Sequence, residues 1–295
     1  MSLFLKAQRC PAGPRPTNSN VTKHPHVTPE RVARYFDQES AGYADAYSLL
    51  NTPSAFFYSR RQAIVMCFLR SLESGLILDI GCGPGIYAKP CTDQGFRYYG
   101  LDVSPQMIDE ARRRFGDLSN VEFASGDARK LPLPSNHADG LLCLGMLEYV
   151  SPEEETACLA EMARVLKPGG VLIFSFLNAR SPFWIWRRYF PIIKFIVKNL
   201  KAIVRCSERV SFMSCIVDDL PARRFTPKER TRLLRSIGLT VTENIYFSIN
   251  IFPSPLDARY PSQLFRVSSR LERLLRWRIF KLLGMGFIIV AQKPT

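Results

Sequence analysis

From residue 75 onward, short apolar runs alternate with segments of helical periodicity, and this alternation allows only a few folds. The apolar runs predict strands at 76–80, 97–101, 121–124, 138–144 and 171–176, with helices between them at 86–94, 105–115 and 152–166. A helix at 227–237 and strands at 239–247 and 286–292 continue the pattern. The spacing predicts an α/β fold built on a doubly wound, mostly parallel sheet of seven strands. Ligands bind such sheets beyond the carboxyl ends of the strands.

The rest of the chain divides into an arm, a helical region and two insertions. Residues 1–29 are rich in proline and predict a disordered arm. Residues 30–74 predict an N-terminal helical lid, with helices at 30–50 and 54–72. The sheet domain spans 75–295 and carries insertions at 178–225 and 248–284, which fall outside the strand–helix pattern.

A glycine-rich turn, Gly81-Cys82-Gly83, follows the first predicted strand. Glycine has no Cβ, so a turn of this kind lets the backbone approach a ligand closely. The dinucleotide fingerprint needs a further glycine where Ile86 stands, and here an acid, Asp79, precedes the turn instead. We expect Cys82, inside the turn, to have a packing role.

Two more acids follow later strands. Asp102 ends the second strand, about 20 residues after the glycines, where a carboxylate can accept both hydroxyls of a ribose. The alternative is that it caps the next helix, although Ser104 is the better cap. Asp127 follows the third strand and can accept a proton from an exocyclic amine of a base; alternatively it is an ordinary turn residue.

Taken in order, these motifs resemble the class I S-adenosylmethionine-dependent methyltransferases, in particular the quinone-biosynthesis branch. The resemblance covers residues 75–176 and includes the segments 126–128, 142–150 and 164–170. Residues 31–47 are similar to the N-terminal lid segment of that family.

The resemblance implies S-adenosylmethionine as the co-substrate, and it also implies the residues that hold it. Gly81 and Gly83 would line its methionine part, with Asp79 near the amino group, and Asp102 would hold the ribose. The remaining implied contacts are Val103 and Met107 beside the adenine, Asp127 and Ala128 at its amino edge, and Leu144 beside the sulfonium. Tyr43 and Tyr47 either close over the cofactor or only pack the lid.

Methyl transfer from a sulfonium needs a general base only when the nucleophile is protonated at neutral pH. None of the histidines, at 24, 26 and 137, is expected at the carboxyl edge of the sheet, so we expect no catalytic histidine. Glu148 and Tyr149 are on the correct edge and can orient a hydroxyl or take a proton. The alternative is that Tyr149 packs and Glu148 caps the following helix.

The cysteines and histidines argue against a metal. None of the eight cysteines forms a CxxC pair, and with three histidines a structural zinc site is not expected. Cys67 and Cys143 lie in apolar runs, which predicts buried, reduced thiols in a cytoplasmic protein. We also expect neither a signal peptide nor a transmembrane helix.

The charge is concentrated in the second part of the chain. Residues 1–179 hold 18 basic and 19 acidic groups, whereas residues 180–295 hold 22 basic and 7 acidic groups. This asymmetry predicts an anionic partner. Residues 183–205 place four cations on one helical stripe opposite aliphatic residues. Residues 266–281 again combine Arg and Lys with large apolar residues. Three explanations remain open: an interfacial helix on the inner membrane face, a cap helix packed on the core, or a protein partner.

Three functions from different classes fit these observations. The first is methylation of a small hydrophobic or lipid-linked acceptor, because an apolar basic segment follows the fifth strand. The second is methylation of RNA, with the basic residues binding phosphates; no recognisable RNA-binding module supports it, and nucleic acid is not expected as a partner. The third is a non-catalytic cofactor-binding subunit, against which the intact glycines and acids argue. Nothing in the sequence specifies an oligomeric state.

Overall fold

The computed structural model describes residues 28–43, 53–183, 222–249 and 261–295. Its strands are β1 (Leu76–Ile80), β2 (Arg97–Asp102), β3 (Val121–Ser125), β4 (Ala138–Leu144), β5 (Leu166–Leu177), β6 (Thr240–Ile249) and β7 (Gly284–Gln292). The α-helices are α1 (Pro29–Tyr43), α2 (Pro53–Leu69), α3 (Ala88–Thr92), α4 (Pro105–Phe115), α5 (Pro152–Val165), α6 (Pro227–Ser236) and α7 (Pro261–Leu271). Short 3₁₀ helices cover Leu147–Tyr149, Glu272–Arg276 and Arg278–Leu283.

The strands form one sheet in the order β3-β2-β1-β4-β5-β7-β6. Neighbouring strands from β3 to β5 are parallel, and β7 runs antiparallel to both β5 and β6. The predicted doubly wound α/β fold is confirmed, with β7 as its antiparallel member. Because β1, β2 and β4 are parallel neighbours, the loops that follow them meet at one edge of the sheet.

Three helices begin with the same local chemistry, a hydroxyl residue followed by proline. Ser104, Ser151 and Thr226 each accept a hydrogen bond from the backbone N–H three residues later, at 3.1, 3.3 and 3.4 Å. The proline that follows has no N–H to satisfy, and its fixed φ suits the first helical position. Each helix therefore starts at a residue that the sequence marks.

Both faces of the sheet are buried. In β1, Leu78 belongs to the core formed with Leu159 and Met162 of α5. Its neighbour Ile77 belongs to the opposite core, with Val65 of α2 and Ile108 of α4. Successive strand residues point to opposite faces, so a continuous apolar run is what a sheet covered on both sides requires.

A buried ionic cluster holds the chain where it returns to the sheet at residue 222. Glu155 of α5 forms ion pairs with Arg230 of α6 and, at 3.0 Å, with Arg223. Arg223 also donates to the backbone oxygen of Val150 (2.8 Å), and the Arg230 guanidinium lies 4.2 Å from the ring centroid of Phe225. The cluster fixes the end of the first insertion, 178–225, against the loop that joins β4 to α5.

Several boundaries differ from the predictions. The helix predicted at 86–94 is limited to Ala88–Thr92, and β5 begins at Leu166 rather than 171 because Leu166 pairs with Ala138. The described part of the first helix ends at Tyr43. Tyr47 and residues 184–221, which hold most of the predicted amphipathic segment, lie outside the described residues.

The five described cysteines carry free thiols, as predicted, but one burial prediction was wrong. Cys143 is buried, whereas Cys67 is exposed. Cys67 lies on the outer side of α2, between buried Met66 and half-buried Phe68, so an apolar run in a helix did not mean burial on every side. Within the described ranges, none of the helices has the length and apolar character needed to cross a bilayer.

Candidate functional site

A pocket opens at the carboxyl ends of β1, β2 and β4, under α1. The sequence-predicted residues that line it are Tyr43, Asp79, Gly81, Gly83, Asp102, Val103, Met107, Asp127, Ala128, Leu144 and Tyr149. They come from α1, four strand ends and α4, and the topology brings them together. Glu148 is the predicted site residue that the pocket lining does not include.

The glycine turn is held against β2 and needs its glycines for different reasons. The amides of Gly81 and Cys82 both donate to the carbonyl of Leu101, at 2.7 and 3.1 Å. Gly81 has φ +73°, and a Cβ there would lie 2.8 Å from the Met146 Cβ, so no side chain fits. At Gly83, with φ +54°, the nearest atom to a Cβ would be Tyr43 Cε1 at 3.8 Å. The second glycine therefore leaves space open towards the pocket.

Cys82, between the two glycines, is 6% exposed, and burial raises the pKa of its thiol well above the ordinary value. A neutral thiol that packs behind the turn agrees with the predicted structural role, because nucleophilic cysteines need a lowered pKa.

Asp102 joins the glycine turn to the start of α4. Its Oδ2 accepts from the Gly83 amide at 2.8 Å and its Oδ1 from the Ser104 amide at 2.9 Å. Burial raises the pKa of this carboxyl, and the backbone hydrogen bonds partly oppose that effect. Ser104 caps α4, so the alternative that Asp102 is the cap is wrong. Each carboxylate oxygen has a second lone pair, which leaves Asp102 able to accept two further donors.

Asp79 is a buried carboxyl beneath the turn. It is 2% exposed, and its Oδ2 accepts from the hydroxyl of Tyr98 at 2.6 Å. Burial raises the pKa of Asp79 to about 7, although the Tyr98 hydrogen bond and the positive charge of Arg61 act in the opposite direction. A cation placed beside Asp79 would favour its ionised form.

Arg61 of α2 is a site residue that the sequence reasoning missed. It lines the pocket, is 5% exposed, and donates to the carbonyl of Leu144 at 3.2 Å. Its guanidinium lies 5.2 Å from the ring centroid of Tyr58. The available signal was a charged pair, Arg60-Arg61, in an otherwise apolar helix, and that pattern does not say which of the two points inward. Arg61 places a buried positive charge at the end of β4.

Asp127 stands at the rim of the pocket in an ion-pair network. Its carboxylate oxygens accept from Arg129 Nε at 3.0 and 2.8 Å, and Arg129 also pairs with Glu154. Asp127 Oδ1 accepts from the Arg129 amide at 2.8 Å, so the turn geometry of the alternative interpretation is present as well. Burial opposes ionisation, but the Arg129 hydrogen bonds outweigh it and lower the pKa of Asp127. The rim therefore carries a carboxylate at neutral pH.

Glu148 and Tyr149 are neighbours in the chain but point to different places. Glu148 is 3% exposed, and its Oε1 accepts from the Leu177 amide at 3.1 Å, which ties the turn after β4 to the end of β5. Burial raises its pKa to about 7. Tyr149 lines the pocket. The alternative in which Glu148 caps α5 is wrong, because Ser151 is the cap.

Helix α1 closes one side of the pocket. Asp37 Oδ1 accepts from the Ser104 hydroxyl at 2.6 Å and from the Gln106 amide at 3.3 Å, which fixes α1 on the start of α4. The ring of Phe36 meets Tyr149 and Tyr43 edge-on, with centroids 5.4 and 5.9 Å apart. The two tyrosines are thus joined through Phe36 across the pocket mouth.

The part of the chain that the structure describes contains no group of three or more His, Cys, Asp or Glu side chains placed to hold a metal ion. Among the charged groups of the site, Asp127, Arg129 and Glu154 form ion pairs with one another. Asp79, Asp102 and Arg61 bond instead to the Tyr98 hydroxyl and to backbone groups.

Comparison with known proteins agrees with this geometry. Residues 78–174 match a family model described as a methyltransferase domain. The chain is 37% identical over 105 residues to malonyl-acyl-carrier-protein O-methyltransferase of Serratia marcescens, covering 36% of this chain and 39% of that protein. It is 31% identical over 147 residues to demethylmenaquinone methyltransferase of Renibacterium salmoninarum, covering 49% and 58%. The match thus spans less than two thirds of the length of either relative.

A solved structure has a similar fold. Magnesium protoporphyrin IX methyltransferase of Synechocystis PCC 6803, with bound S-adenosylhomocysteine (SAH), superposes with a TM-score of 0.57 at 17% identity, covering 90% of this chain and 99% of that one. The family model and the relatives agree on a methyltransferase domain at residues 78–174, and the solved structure shows a similar fold. The chain is thus similar to the class I S-adenosylmethionine-dependent methyltransferases, among them the demethylmenaquinone methyltransferases.

Proposed function

We propose that this protein transfers a methyl group from S-adenosylmethionine to a small acceptor that is hydrophobic or linked to a lipid. The observation that carries the proposal is the convergence of an open glycine turn, the ribose-type acid Asp102 and opposite buried charges in one pocket. In a doubly wound sheet, this is the edge where ligands bind.

The residues present fit the methionine end of the cofactor, which carries an ammonium and a carboxylate. Asp79 would face the ammonium, and the positive charge would lower the pKa of its buried carboxyl from about 7. Arg61, buried at the end of β4, would pair with the carboxylate. Gly83 leaves room for the chain of the ligand to pass. Each charge of the zwitterion would therefore face a protein group of opposite charge.

The nucleoside end has matching partners. Asp102 would accept the ribose hydroxyls with lone pairs that the Gly83 and Ser104 amides leave available. Val103, Met107 and Ala128 offer apolar surface for the adenine. Asp127 would accept from the adenine amine while it keeps its ion pair with Arg129.

When bound, S-adenosylmethionine supplies a methyl group already activated by its sulfonium, for in-line displacement by the nucleophile of the acceptor. The protein has to position the acceptor and exclude water. We assign positioning to Leu144 at the end of β4 and to Tyr149 in the 3₁₀ helix that follows, where the Tyr149 hydroxyl could accept a hydrogen bond from the acceptor. Glu148 acts as a positioning residue, since its bond to the Leu177 amide holds the turn that carries Tyr149. Phe36 and Tyr43 would cover the pocket from α1.

A hydrophobic acceptor is supported by the apolar side chains of the pocket lining. These include Val32, Phe36, Ile86, Met146 and Val150. The names of the two relatives refer to a quinone precursor and to a carrier-linked malonyl group. The names of these relatives give no support to the RNA alternative. We further propose that the protein works in the cytoplasm, where its described thiols stay reduced.

Titration calorimetry of the purified protein with S-adenosylmethionine and SAH tests the first half of the proposal. We expect binding to both. Mass spectrometry of lipid extracts from cells with the gene, without it, and with an Asp102→Ala copy tests the second half. A lipid that gains one CH₂ unit only with the intact gene supports the proposal. A protein that binds neither ligand would refute the enzyme assignment, and a modified RNA with unchanged lipids would refute the acceptor class.

A further inference from the structure

A single segment carries the exposed large apolar side chains of the described residues. These are Val267, Trp277, Ile279 and Leu282, which are 37%, 68%, 76% and 45% exposed. Val267 lies on α7, Trp277 lies between the two 3₁₀ helices that connect α7 to β7, and Ile279 and Leu282 lie on the second of them. Large apolar groups exposed together on a soluble surface mark an interaction site more often than scattered ones do. We call residues 261–283 the C-terminal patch.

The C-terminal patch is anchored to the core by its inner side. Phe265 packs edge-on against Phe56 of α2, with ring centroids 5.2 Å apart. Ser268 and Leu275 are buried, at 4% and 7% exposure. The segment therefore has a packed inner side and an exposed outer side. The exposed apolar side chains do not contribute to its packing on the core.

The same segment is strongly basic. Residues 261–283 contain six Arg or Lys and one acid, Glu272. Glu272 pairs with Arg60 of α2 at 2.6 Å, so its charge is directed to the core. Arg266, Arg270 and Arg273 of the same segment are also exposed. The outer side thus combines a tryptophan, aliphatic side chains and positive charge.

The C-terminal patch stands at the sheet edge that also holds the pocket. β7 begins at Gly284, and Gly286 pairs with Leu177 at the carboxyl end of β5, which runs parallel to β4. Asn178 holds the chain at this corner. Its side-chain Nδ2 donates to the Gly284 carbonyl at 2.8 Å, and its backbone N–H donates to the Met285 carbonyl at 2.9 Å. The patch and the end of β4 are therefore on the same side of the molecule.

We propose that the C-terminal patch docks on the surface of an anionic lipid bilayer. Tryptophan and aliphatic side chains partition into the interfacial region, while the arginines meet lipid headgroups. A nucleic acid would use the arginines but leave Ile279 and Leu282 exposed to water. The docking does not depend on catalysis. The added inference that docking brings an apolar acceptor to the pocket rests on the proposed function.

Vesicle flotation of the full chain tests the docking. Vesicles of phosphatidylcholine alone are compared with vesicles that contain about one third phosphatidylglycerol, at low and high salt. We expect flotation with the anionic vesicles only, and its loss at high salt. In a Trp184→Phe/Trp186→Phe chain, Trp277 is the remaining tryptophan, and its emission should shift to the blue on anionic vesicles.

Two variants locate the surface, and a third is their matched control. Trp277→Ser/Ile279→Ser/Leu282→Ser and Arg266→Gln/Arg270→Gln/Arg273→Gln should each weaken the partitioning at least about tenfold. The control Lys228→Gln/Arg232→Gln/Arg235→Gln removes three exposed cations from α6 and should change it less than about twofold. All the replaced side chains in the control and in the arginine variant are exposed, so melting curves should stay unchanged, and binding of S-adenosylmethionine without vesicles should match the wild type.

Several results would overturn the docking. These are absence of flotation, equal flotation with uncharged vesicles, and patch variants that bind as well as the control. Copurification of nuclease-sensitive RNA that the arginine variant loses would assign the surface to nucleic acid instead. Light scattering that shows a dimer dissociated by the apolar variant would assign it to a second copy of the chain. Failure to bind S-adenosylmethionine with flotation intact would refute the proposed function and leave the docking standing.

Discussion

Replacing Asp102 with alanine removes the acceptor for two backbone amides and the proposed acceptor for the ribose. Both carboxylate oxygens are already engaged, at 2.8 Å to Gly83 and 2.9 Å to Ser104. The side chain is therefore held in place before any ligand arrives, and little entropy is lost when it accepts a hydroxyl.

The size of the effect on binding follows from one or two charged hydrogen bonds. A hydrogen bond to a charged group contributes about 1.5–3 kcal/mol. The loss of one such bond weakens binding about 10- to 150-fold, since about 1.4 kcal/mol corresponds to a factor of ten. We therefore expect Asp102→Ala to weaken the binding of S-adenosylmethionine at least about tenfold. Loss of the second hydroxyl contact would increase the effect.

The same substitution also affects folding. An amide left without a partner costs about 1–3 kcal/mol when it is buried. Burial disfavours the charged form of Asp102 and raises its pKa, so removal of this carboxylate offsets part of the cost. The free energy of unfolding from urea titration should therefore fall by less than the sum for two amides, and the protein should remain folded for calorimetry.

Asp93→Ala is the matched control, because Asp93 is an exposed acid that pairs with Lys89 after α3, away from the pocket. Asp93→Ala should leave the affinity for S-adenosylmethionine unchanged. It should change the free energy of unfolding by no more than about 0.5 kcal/mol. A folded Asp102→Ala protein that binds S-adenosylmethionine as tightly as Asp93→Ala would refute the role given to Asp102 and the placement of the ribose.

Three further substitutions test the surroundings of the site. Gly81→Ala and Gly95→Ala impose similar backbone strain, at φ +73° and +86°, but a Cβ at Gly81 meets a methionine side chain at 2.8 Å and one at Gly95 meets nothing within 4 Å. Urea titration should show a further loss of about 1–3 kcal/mol for Gly81→Ala, and equal losses would contradict the contact. Burial raises the pKa of Asp79 to about 7, so its stabilising contribution is complete below about pH 4 and is lost as the pH rises through 7. Relative to Asp79→Asn, the unfolding free energy of the wild type should fall by up to about 4 kcal/mol across that range, and a constant difference would disprove the shift. Arg230→Met removes a partner of buried Glu155 and should cost about 3–5 kcal/mol in the same assay, with partial recovery on adding Glu155→Leu; an unchanged denaturation midpoint would contradict the importance of this pair.

Much of the site was predictable because its backbone parts are local. The turn at Gly81 and Gly83 follows a strand directly, and Asp102 and Asp127 each follow one as well. Parallel strands end at one edge, so the positions of these residues in the chain were enough to bring them together. The direction of a neighbouring side chain was not predictable in this way. Glu148 and Tyr149 follow β4 by the same reasoning, yet Tyr149 lines the pocket and Glu148 turns to the Leu177 amide.

The sequence by itself determined the strand–helix pattern, the helix starts at Ser104 and Thr226, and the glycine turn. Periodicity, capping and backbone freedom act over a few residues, so local sequence is enough to predict them. Arg61 belongs to the other kind of feature. It reaches the Leu144 carbonyl, 83 residues away, only because α2 packs across the sheet beside the end of β4. The exposure of Trp277 likewise depends on which side of its segment the core covers. Long-range packing selects one side of a helix from several that local sequence allows, and it is this choice that places the buried charge and the exposed apolar surface.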